Sequence, residues 1–264
     1  MLLAFDIGNT EITVGLFAGE RLDAHWRWHS NAQRTPDEWA SVLTAHLTQA
    51  GHSTQEVRAS IVASVAPQVA ESLGEGVTIA TTRAPLRIDG RSPLPIVLDV
   101  DEPMTVGADR IVNTLAAVHL FKRDTIVVDF GTATTFDCIT IDGGQGRGRF
   151  IGGVIMPGLR TASDELVRKT AKLPATELTP PTRAIGRRTE DCIRAGVLWG
   201  TADAVDGLVR RIKKEWPSKQ EPLVVATGGL APLVAPLCKE IESVNSDLTL
   251  VGLRIAAAAL DLKW

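Results

Sequence analysis

Short apolar runs alternate along this chain with stretches in which apolar residues recur every three or four positions. The runs predict strands, and the longer spacing predicts helices that bury one face. Strands are predicted at residues 2–5, 12–17, 24–29, 61–65, 125–128, 136–141, 222–226 and 248–251. Helices are predicted from residues 36, 67 and 230, and at residues 111–121, 157–170, 189–214 and 252–262. The alternation of both element types indicates an α/β protein with covered sheets.

The first two predicted strands flank Asp6-Ile7-Gly8-Asn9-Thr10, a turn-forming segment, and so predict a β-hairpin. A strand, a threonine-rich Asp-x-Gly turn and a returning strand occur again at Asp129, 123 residues after Asp6. That offset is close to half of the 264-residue chain. We therefore predict a duplicated fold with two similar lobes, residues 1–115 and 116–264. A chance match of one short turn pattern is the alternative.

Composition excludes several classes of protein. The 28 Lys and Arg residues against 31 Asp and Glu, with a pI near 6.0, argue against a strongly basic nucleic-acid binder. No segment approaches the roughly 18 apolar residues of a membrane span, and residues 1–6 lack the basic start of a signal peptide. We expect a cytoplasmic protein. Three scattered cysteines, without a C-x-x-C pair, indicate neither a disulfide framework nor a zinc site.

The two Asp-x-Gly turns are candidates for phosphate binding. Glycine lets the backbone approach a phosphate, amide and hydroxyl groups supply donors, and an Asp at a strand end can hold a bridging cation. The alternative is an Asx turn that only closes a hairpin. Two such turns in a duplicated fold favour the phosphate interpretation. Thr227-Gly228-Gly229, after a predicted strand, is a further candidate, while a P-loop is absent and the glycine-rich run 143–148 is predicted to be a plain turn.

Asp109 stands at a predicted helix start, directly before Arg110. An aspartate there is often only a helix cap or a partner of the helix dipole. In a phosphate cleft, however, the carboxylate could accept an alcohol proton and the guanidinium could steady transferring charge. Spacing alone leaves both interpretations open.

Five segments, in this order, resemble the type III pantothenate kinases along nearly the whole chain. They are Asp6-Ile7-Gly8-Asn9-Thr10, Gly107-Ala108-Asp109-Arg110, residues 129–135 (DFGTATT), residues 152–158 (GGVIMPG) and residues 227–231 (TGGLA). The resemblance implies two ribonuclease-H-like lobes of the actin-like ATPase fold, with ATP between them. It also implies a homodimer whose substrate pocket forms at the subunit interface, and phosphorylation of pantothenate to 4′-phosphopantothenate, the first step of coenzyme A biosynthesis.

The resemblance also implies site residues, by position. ATP and Mg²⁺ would be held by the segment Asp6, Ile7, Gly8, Asn9, Thr10, Glu11, Ile12 and Thr13, with Asp6 reaching Mg²⁺ through the phosphates. Thr132 would contact ATP, and Asp129 would bind a monovalent cation, K⁺ or NH₄⁺. The pantothenate pocket would be lined by Val100, Gly107, Ala108, Asp109, Arg110 and, from the partner subunit, Thr189. Asp109 would be the general base.

Some positions depart from the family pattern. Val100 stands where a Tyr is usual, Glu102, Met104 and Thr105 replace the usual Asn, Arg and Glu, and Arg188 replaces Asn. Two rival functions therefore remain at the level of sequence. One is a regulatory or binding homologue without kinase activity, against which the intact Asp109 argues. The other is a kinase of another small alcohol.

Overall fold

The structure is a computed structural model that describes residues 1–142 and 147–264. Four residues of the predicted turn at 143–148 lie outside the described residues. The chain divides into two compact units: one holds residues 1–120, 147–150 and 248–264, and the other holds residues 121–146 and 151–247. Both units are discontinuous in sequence. The division at residues 115 and 116 stays a prediction about where the duplicated halves meet.

The first unit is built from a sheet, its helices and one added strand. Its elements are β1 (Leu2–Ile7), β2 (Glu11–Ala18), β3 (Arg21–His29), α1 (Pro36–Gln49), β4 (Ala59–Ser64), α2 (Pro67–Thr81), β5 (Leu86–Arg87), β6 (Ile96–Leu98) and α3 (Ala108–Phe121). Strand order in the sheet is β3-β2-β1-β4-β5, with β1 antiparallel to β2 and parallel to β4. The predicted first hairpin and third strand are confirmed.

The second unit repeats this plan. Its elements are β7 (Thr125–Phe130), β8 (Ala133–Ile141), β9 (Gly148–Pro157), α4 (Leu159–Lys169), α5 (Thr189–Arg194), α6 (Gly200–Lys214), β10 (Leu223–Thr227), α7 (Ala231–Val234) and β11 (Ser243–Val244). The final helix, α8 (Leu248–Ala259), belongs to the first unit. Strand order is β9-β8-β7-β10-β11, with β7 antiparallel to β8 and parallel to β10. The first three residues of β9, in the first unit, pair with β6.

The duplication is therefore visible in the topology. Each unit has a central strand, an antiparallel meander on one side and two parallel strands on the other. Asp6 and Asp129 occupy the same place, the next-to-last residue of the central strand. The two Asp-x-Gly turns thus follow equivalent strands, as the 123-residue offset predicts.

Local signals explain most element boundaries. Thr35 caps α1, which begins at the predicted residue 36: its backbone N–H donates to Glu38 Oε2 at 2.7 Å and its Oγ1 accepts from the Glu38 N–H at 3.3 Å. Trp28 of β3 is buried and stacks on Trp39 of α1 with ring centroids 5.8 Å apart, so the two elements pack together in the core.

The predicted elements differ from the structure in three places. Residues 248–251 are the first turn of α8, since this helix is buried on most of its surface and shows no polar face that would separate it from a strand. Strand β9 was not predicted because glycines at 152 and 153 interrupt its apolar run. The predicted helix at 189–214 is continuous but not α-helical throughout, since a π-helical stretch, Ala195–Trp199, joins α5 to α6.

Candidate active site

The first Asp-x-Gly turn closes the hairpin of β1 and β2. Asp6, half-buried, stands opposite Thr13, and the Gly8 N–H donates to the Glu11 carbonyl at 3.0 Å. Of the other residues of the predicted ATP segment, Ile7 and Ile12 are buried, Gly8 and Thr13 are half-buried, and Asn9, Thr10 and Glu11 are exposed. The buried pair anchors the turn on the core while the polar residues face solvent. A turn of this kind can present its donors to a phosphate.

Ser30 holds this turn from outside the predicted segment. Its backbone N–H donates to the Thr10 carbonyl at 2.9 Å, and its Oγ donates to the Gly8 carbonyl at 2.6 Å. Sequence reasoning missed Ser30, and no local signal could have found it, because the contact joins residues 22 positions apart. The hydrogen bonds fix the turn's carbonyls and so fix the direction of its amides.

Asp109 lies in the first turn of α3. Its Oδ1 accepts a hydrogen bond from the Arg110 N–H at 2.8 Å. Burial raises the pKa of the Asp109 carboxyl above its ordinary value, against that hydrogen bond and the Arg110 charge, which both lower it. The group is thus a half-buried carboxylate, partly withdrawn from water, which makes it a stronger base than an aspartate in water.

The Asp109 carboxylate lies beside the ends of two parallel strands. A Cβ on Gly107 would overlap Asp109 Oδ1 and would lie 3.4 Å from Cγ1 of Val65. Val65 follows β4, and its N–H donates to the Ile7 carbonyl at 3.0 Å. The structure therefore brings the start of α3 to the edge of the sheet that carries the Asp6 turn. Such carboxyl ends of parallel strands are where α/β proteins place ligands.

Arg110 and Val100 complete the predicted residues of the first unit. The Arg110 guanidinium carbon lies 5.0 Å from the centroid of the Phe150 ring, a cation–π contact that holds the side chain. Ala108 is buried, and Val100 is half-buried in the segment before α3. An aromatic partner for Arg110 could not be predicted, since Phe150 lies 40 residues away in sequence.

The second Asp-x-Gly turn is similar to the first but one residue shorter. The Gly131 N–H donates to the Ala133 carbonyl at 3.1 Å, and Asp129 is half-buried opposite Thr135. Thr132 is exposed, and its carbonyl accepts from the Gly158 N–H at 3.2 Å and from Thr161 Oγ1 at 2.6 Å. The start of α4 thus fixes this turn, as Ser30 fixes the first one.

The Thr227-Gly228-Gly229 turn lies against Asp129. Thr227 pairs in register with Asp129, and a Cβ on Gly228 would overlap the Asp129 Oδ1 atom. Gly228 has a φ of +89°, a backbone conformation that favours glycine. The structure therefore joins two of the segments that the sequence singled out separately.

Thr189 lies elsewhere in the second unit. It is exposed at the start of α5 and lines an apolar cleft of about 590 Å³ with Met156, Leu166, Leu173 and Ile193. Cys192, one turn further along α5, is also exposed on this cleft. A half-open apolar cleft of this size is typical of a site for a small organic molecule or for a partner surface.

The donor set suits a hard cation held together with phosphates. Among residues 1–142 and 147–264, no group of three or more His, Cys, Asp or Glu side chains is placed to hold a metal. Asp6 and Asp129 each offer one carboxylate at a strand end. Mg²⁺ commonly binds through one or two carboxylates, water and substrate phosphates. Each of these carboxylates, taken by itself, has the chemistry to hold a cation that also binds a phosphate.

In the described part of the chain, no helix is both long and apolar enough to cross a membrane.

Comparisons with known proteins agree with the resemblance. The sequence profile described as type III pantothenate kinase matches residues 2–211. The type III pantothenate kinase of Moorella thermoacetica is 42% identical over 97% of this chain and 98% of its own. That of Thermomicrobium roseum is 43% identical over 97% of this chain and 96% of its own.

A solved structure bears on the fold. The activator of the 2-hydroxyisocaproyl-CoA dehydratase from Clostridium difficile, with bound ADPNP, has a TM-score of 0.55 at 14% identity, over 98% of this chain and 94% of its own. With the repeated strand order, this likeness confirms the predicted α/β fold of two ribonuclease-H-like lobes, the actin-like ATPase fold. The profile and the near-full-length relatives together show that the chain belongs to the type III pantothenate kinase family.

Proposed function

We propose that this protein transfers the γ-phosphoryl group of ATP to pantothenate, giving 4′-phosphopantothenate and ADP in the first step of coenzyme A biosynthesis. Family membership supports the reaction and the substrate. The structural observation that carries the proposal is the half-buried Asp109 carboxylate, whose pKa is raised by burial and which the Arg110 amide fixes at the strand edge that carries the Asp6 turn. An alcohol needs such a proton acceptor to attack phosphorus at neutral pH.

Asp109 acts as the general base. Its carboxylate takes the proton of the primary hydroxyl as that oxygen bonds to the γ-phosphorus, and the bond from phosphorus to the ADP oxygen breaks. The neighbouring Arg110 guanidinium is positioned by its cation–π contact with Phe150 and stabilises negative charge on the phosphoryl group during transfer. Because the transition state of phosphoryl transfer requires little covalent chemistry from the protein, most of the catalysis comes from positioning the reactants and neutralising charge.

The turn at Asp6 to Thr13 holds the phosphates of ATP, and Thr132 contacts the nucleotide from the second turn. Asp6 reaches Mg²⁺ through the phosphate oxygens. The chemistry that Mg²⁺ would supply there, when bound, is neutralisation of negative charge on the phosphates. The hydrogen bonds from Ser30 to the Gly8 and Thr10 carbonyls support this assignment, because they keep the turn's amides fixed in direction.

Asp129 binds a monovalent cation, K⁺ or NH₄⁺. The half-buried carboxylate has the Gly228 backbone against it, so a ligand there meets a preformed wall and not a flexible side chain.

The pantothenate pocket is lined by Val100 and by the segment Gly107, Ala108, Asp109 and Arg110. Thr189 of the partner subunit completes it in a homodimer. The apolar cleft beside Thr189 supports burial of this surface against the partner subunit, since exposed apolar patches commonly mark interfaces.

The protein works in the cytoplasm.

Release of ADP tests the proposal. Purified protein with Mg-ATP and K⁺ should release ADP when pantothenate is added and should release little without it. ADP release with another small alcohol but not with pantothenate would favour the second rival function. Nucleotide binding without any turnover would favour the regulatory one.

A further inference from the structure

A buried hydroxyl lies beside Asp129 without a hydrogen-bonding partner. Thr227, the last residue of β10, is 0% exposed, and its Oγ1 has no partner within the described part of the chain. Leaving a buried hydroxyl unpaired destabilises a fold, so each such group calls for an explanation. A ligand that binds this oxygen would supply one.

The backbone places this hydroxyl on the same side of the sheet as the Asp129 carboxylate. Thr227 and Asp129 are in register on the parallel strands β10 and β7, and side chains of residues in register project from one face. Gly228, the next residue, lies against Asp129 Oδ1. The hydroxyl and the carboxylate of this strand pair therefore project from the same face of the sheet, from neighbouring strands.

We propose that the Thr227 hydroxyl is a second protein ligand of the monovalent cation at Asp129. The inference rests on the proposed cation site. A neutral hydroxyl oxygen suits K⁺, which is bound in proteins by rings of uncharged oxygens as well as by carboxylates. Such a ligand changes the affinity for the ion without adding charge to the site.

A second unpaired hydroxyl provides a matched control. Thr134 is also 0% exposed and its Oγ1 has no partner among the described residues. It pairs in register with Phe130, one residue after Asp129, so it projects from the opposite face, with the apolar core of this unit. Substitution of Thr134 therefore removes an equivalent hydroxyl that cannot reach the cation.

The test compares Thr227→Val, Thr227→Ser and Thr134→Val with the unaltered protein. Thermal unfolding is followed with Mg-ADP while K⁺ is titrated, with ionic strength held constant by a tetraalkylammonium salt. We expect K⁺ to raise the Tm of the unaltered protein. Thr227→Val should need about tenfold more K⁺ for the same rise, a difference of about 1.4 kcal/mol. Thr227→Ser and Thr134→Val should respond as the unaltered protein does.

Stability without K⁺ separates a ligand role from a structural one. Replacing an unpaired buried hydroxyl by a methyl group of the same shape is neutral or stabilising, so Thr227→Val should then melt at the same or a higher temperature. A lower Tm without K⁺ would make the hydroxyl a structural group and overturn the inference. An unchanged K⁺ midpoint in Thr227→Val would also overturn it, while leaving the Asp129 site intact. If K⁺ does not change the Tm of the unaltered protein, the proposed cation site at Asp129 is itself wrong.

Discussion

Gly228 lies so close to Asp129 that a Cβ at residue 228 would overlap Oδ1 of the carboxylate. The same Cβ would lie 2.8 Å from the backbone C and N of Phe130, and the φ of Gly228 is +89°. Two turns that are distant in sequence therefore form one wall around a half-buried carboxylate. Backbone atoms cannot move aside as a flexible side chain can, so the shape of this wall depends on glycine.

Gly228→Ala should destabilise the protein and damage the Asp129 site. The positive φ alone costs about 1–2 kcal/mol for a residue with a Cβ, and the overlap adds to that. Gly19→Ala is the matched control, since Gly19 has a φ of +61° but nothing lies near its Cβ position. Chemical denaturation should show a larger loss for Gly228→Ala. Equal losses for both variants would show that the contact with Asp129 is unimportant.

Asp109→Asn should keep the fold and lower kcat by about 10²–10⁴-fold, the usual effect of losing a positioned base. Because burial penalises the ionised carboxyl, the neutral asparagine should leave the Tm at neutral pH unchanged or raised. Asp37→Asn is the control: Asp37 is likewise the second residue of a 14-residue helix, but it is exposed. Turnover of Asp109→Asn close to that of the control would contradict the assignment.

The pH dependence of kcat/KM should show the raised pKa of Asp109. The protonated carboxyl cannot accept the hydroxyl proton, so activity should fall on acidification with a midpoint above about 3.9, the value of an ordinary aspartate. Arg110→Gln removes a charge that lowers this pKa, so its midpoint should move to higher pH. Arg91→Gln, which alters an exposed arginine of the same unit, should leave the midpoint in place. A midpoint that does not move in Arg110→Gln would argue that another group limits activity at low pH.

Activity should require K⁺ or NH₄⁺ and collapse with Na⁺ as the sole monovalent cation. Asp129→Ala should abolish that dependence together with most of the rate, because the carboxylate that holds the ion is gone. Asp164→Ala removes an exposed carboxylate of the same unit and should retain the dependence. Steady-state rates in KCl, NH₄Cl and NaCl measure the cation dependence. Equal rates in all three salts would show that Asp129 binds no monovalent cation and only closes the hairpin.

Val100→Tyr should lower the pantothenate KM several-fold and leave the ATP KM unchanged. A tyrosine hydroxyl offers the ligand one more hydrogen bond, worth about 0.5–1.5 kcal/mol, and Val100 is a half-buried residue of the proposed pocket. Arg188→Asn should raise the pantothenate KM, since the guanidinium next to Thr189 can bind the pantothenate carboxylate. If neither substitution changes that KM in the expected direction, the proposed pocket is wrong and the substrate has to be reconsidered.

What the sequence by itself determined is local. The two hairpins, the capped start of α1 and the start of α3 at Gly107 to Arg110 depend on residues within a few positions of each other. Turn chemistry, caps and apolar period act over that range, so they can be read directly. The repeat of Asp6 at Asp129 also needed only the chain, because a duplicated topology leaves the same turn after the same strand.

Tertiary structure alone decided the rest. Residues 248–251 have a strand-like composition but form a helix, because burial on most sides hides the helical period. Ser30, Phe150 and Thr161 hold the functional segments across more than twenty positions of sequence, and no local pattern specifies such contacts. The raised pKa of Asp109 arises from burial, and the pairing of Thr227 with Asp129 arises from strand order. The pKa shift and the strand pairing both depend on which distant segments pack against each other. Burial of a side chain and the register of two strands are therefore set only when the chain has folded.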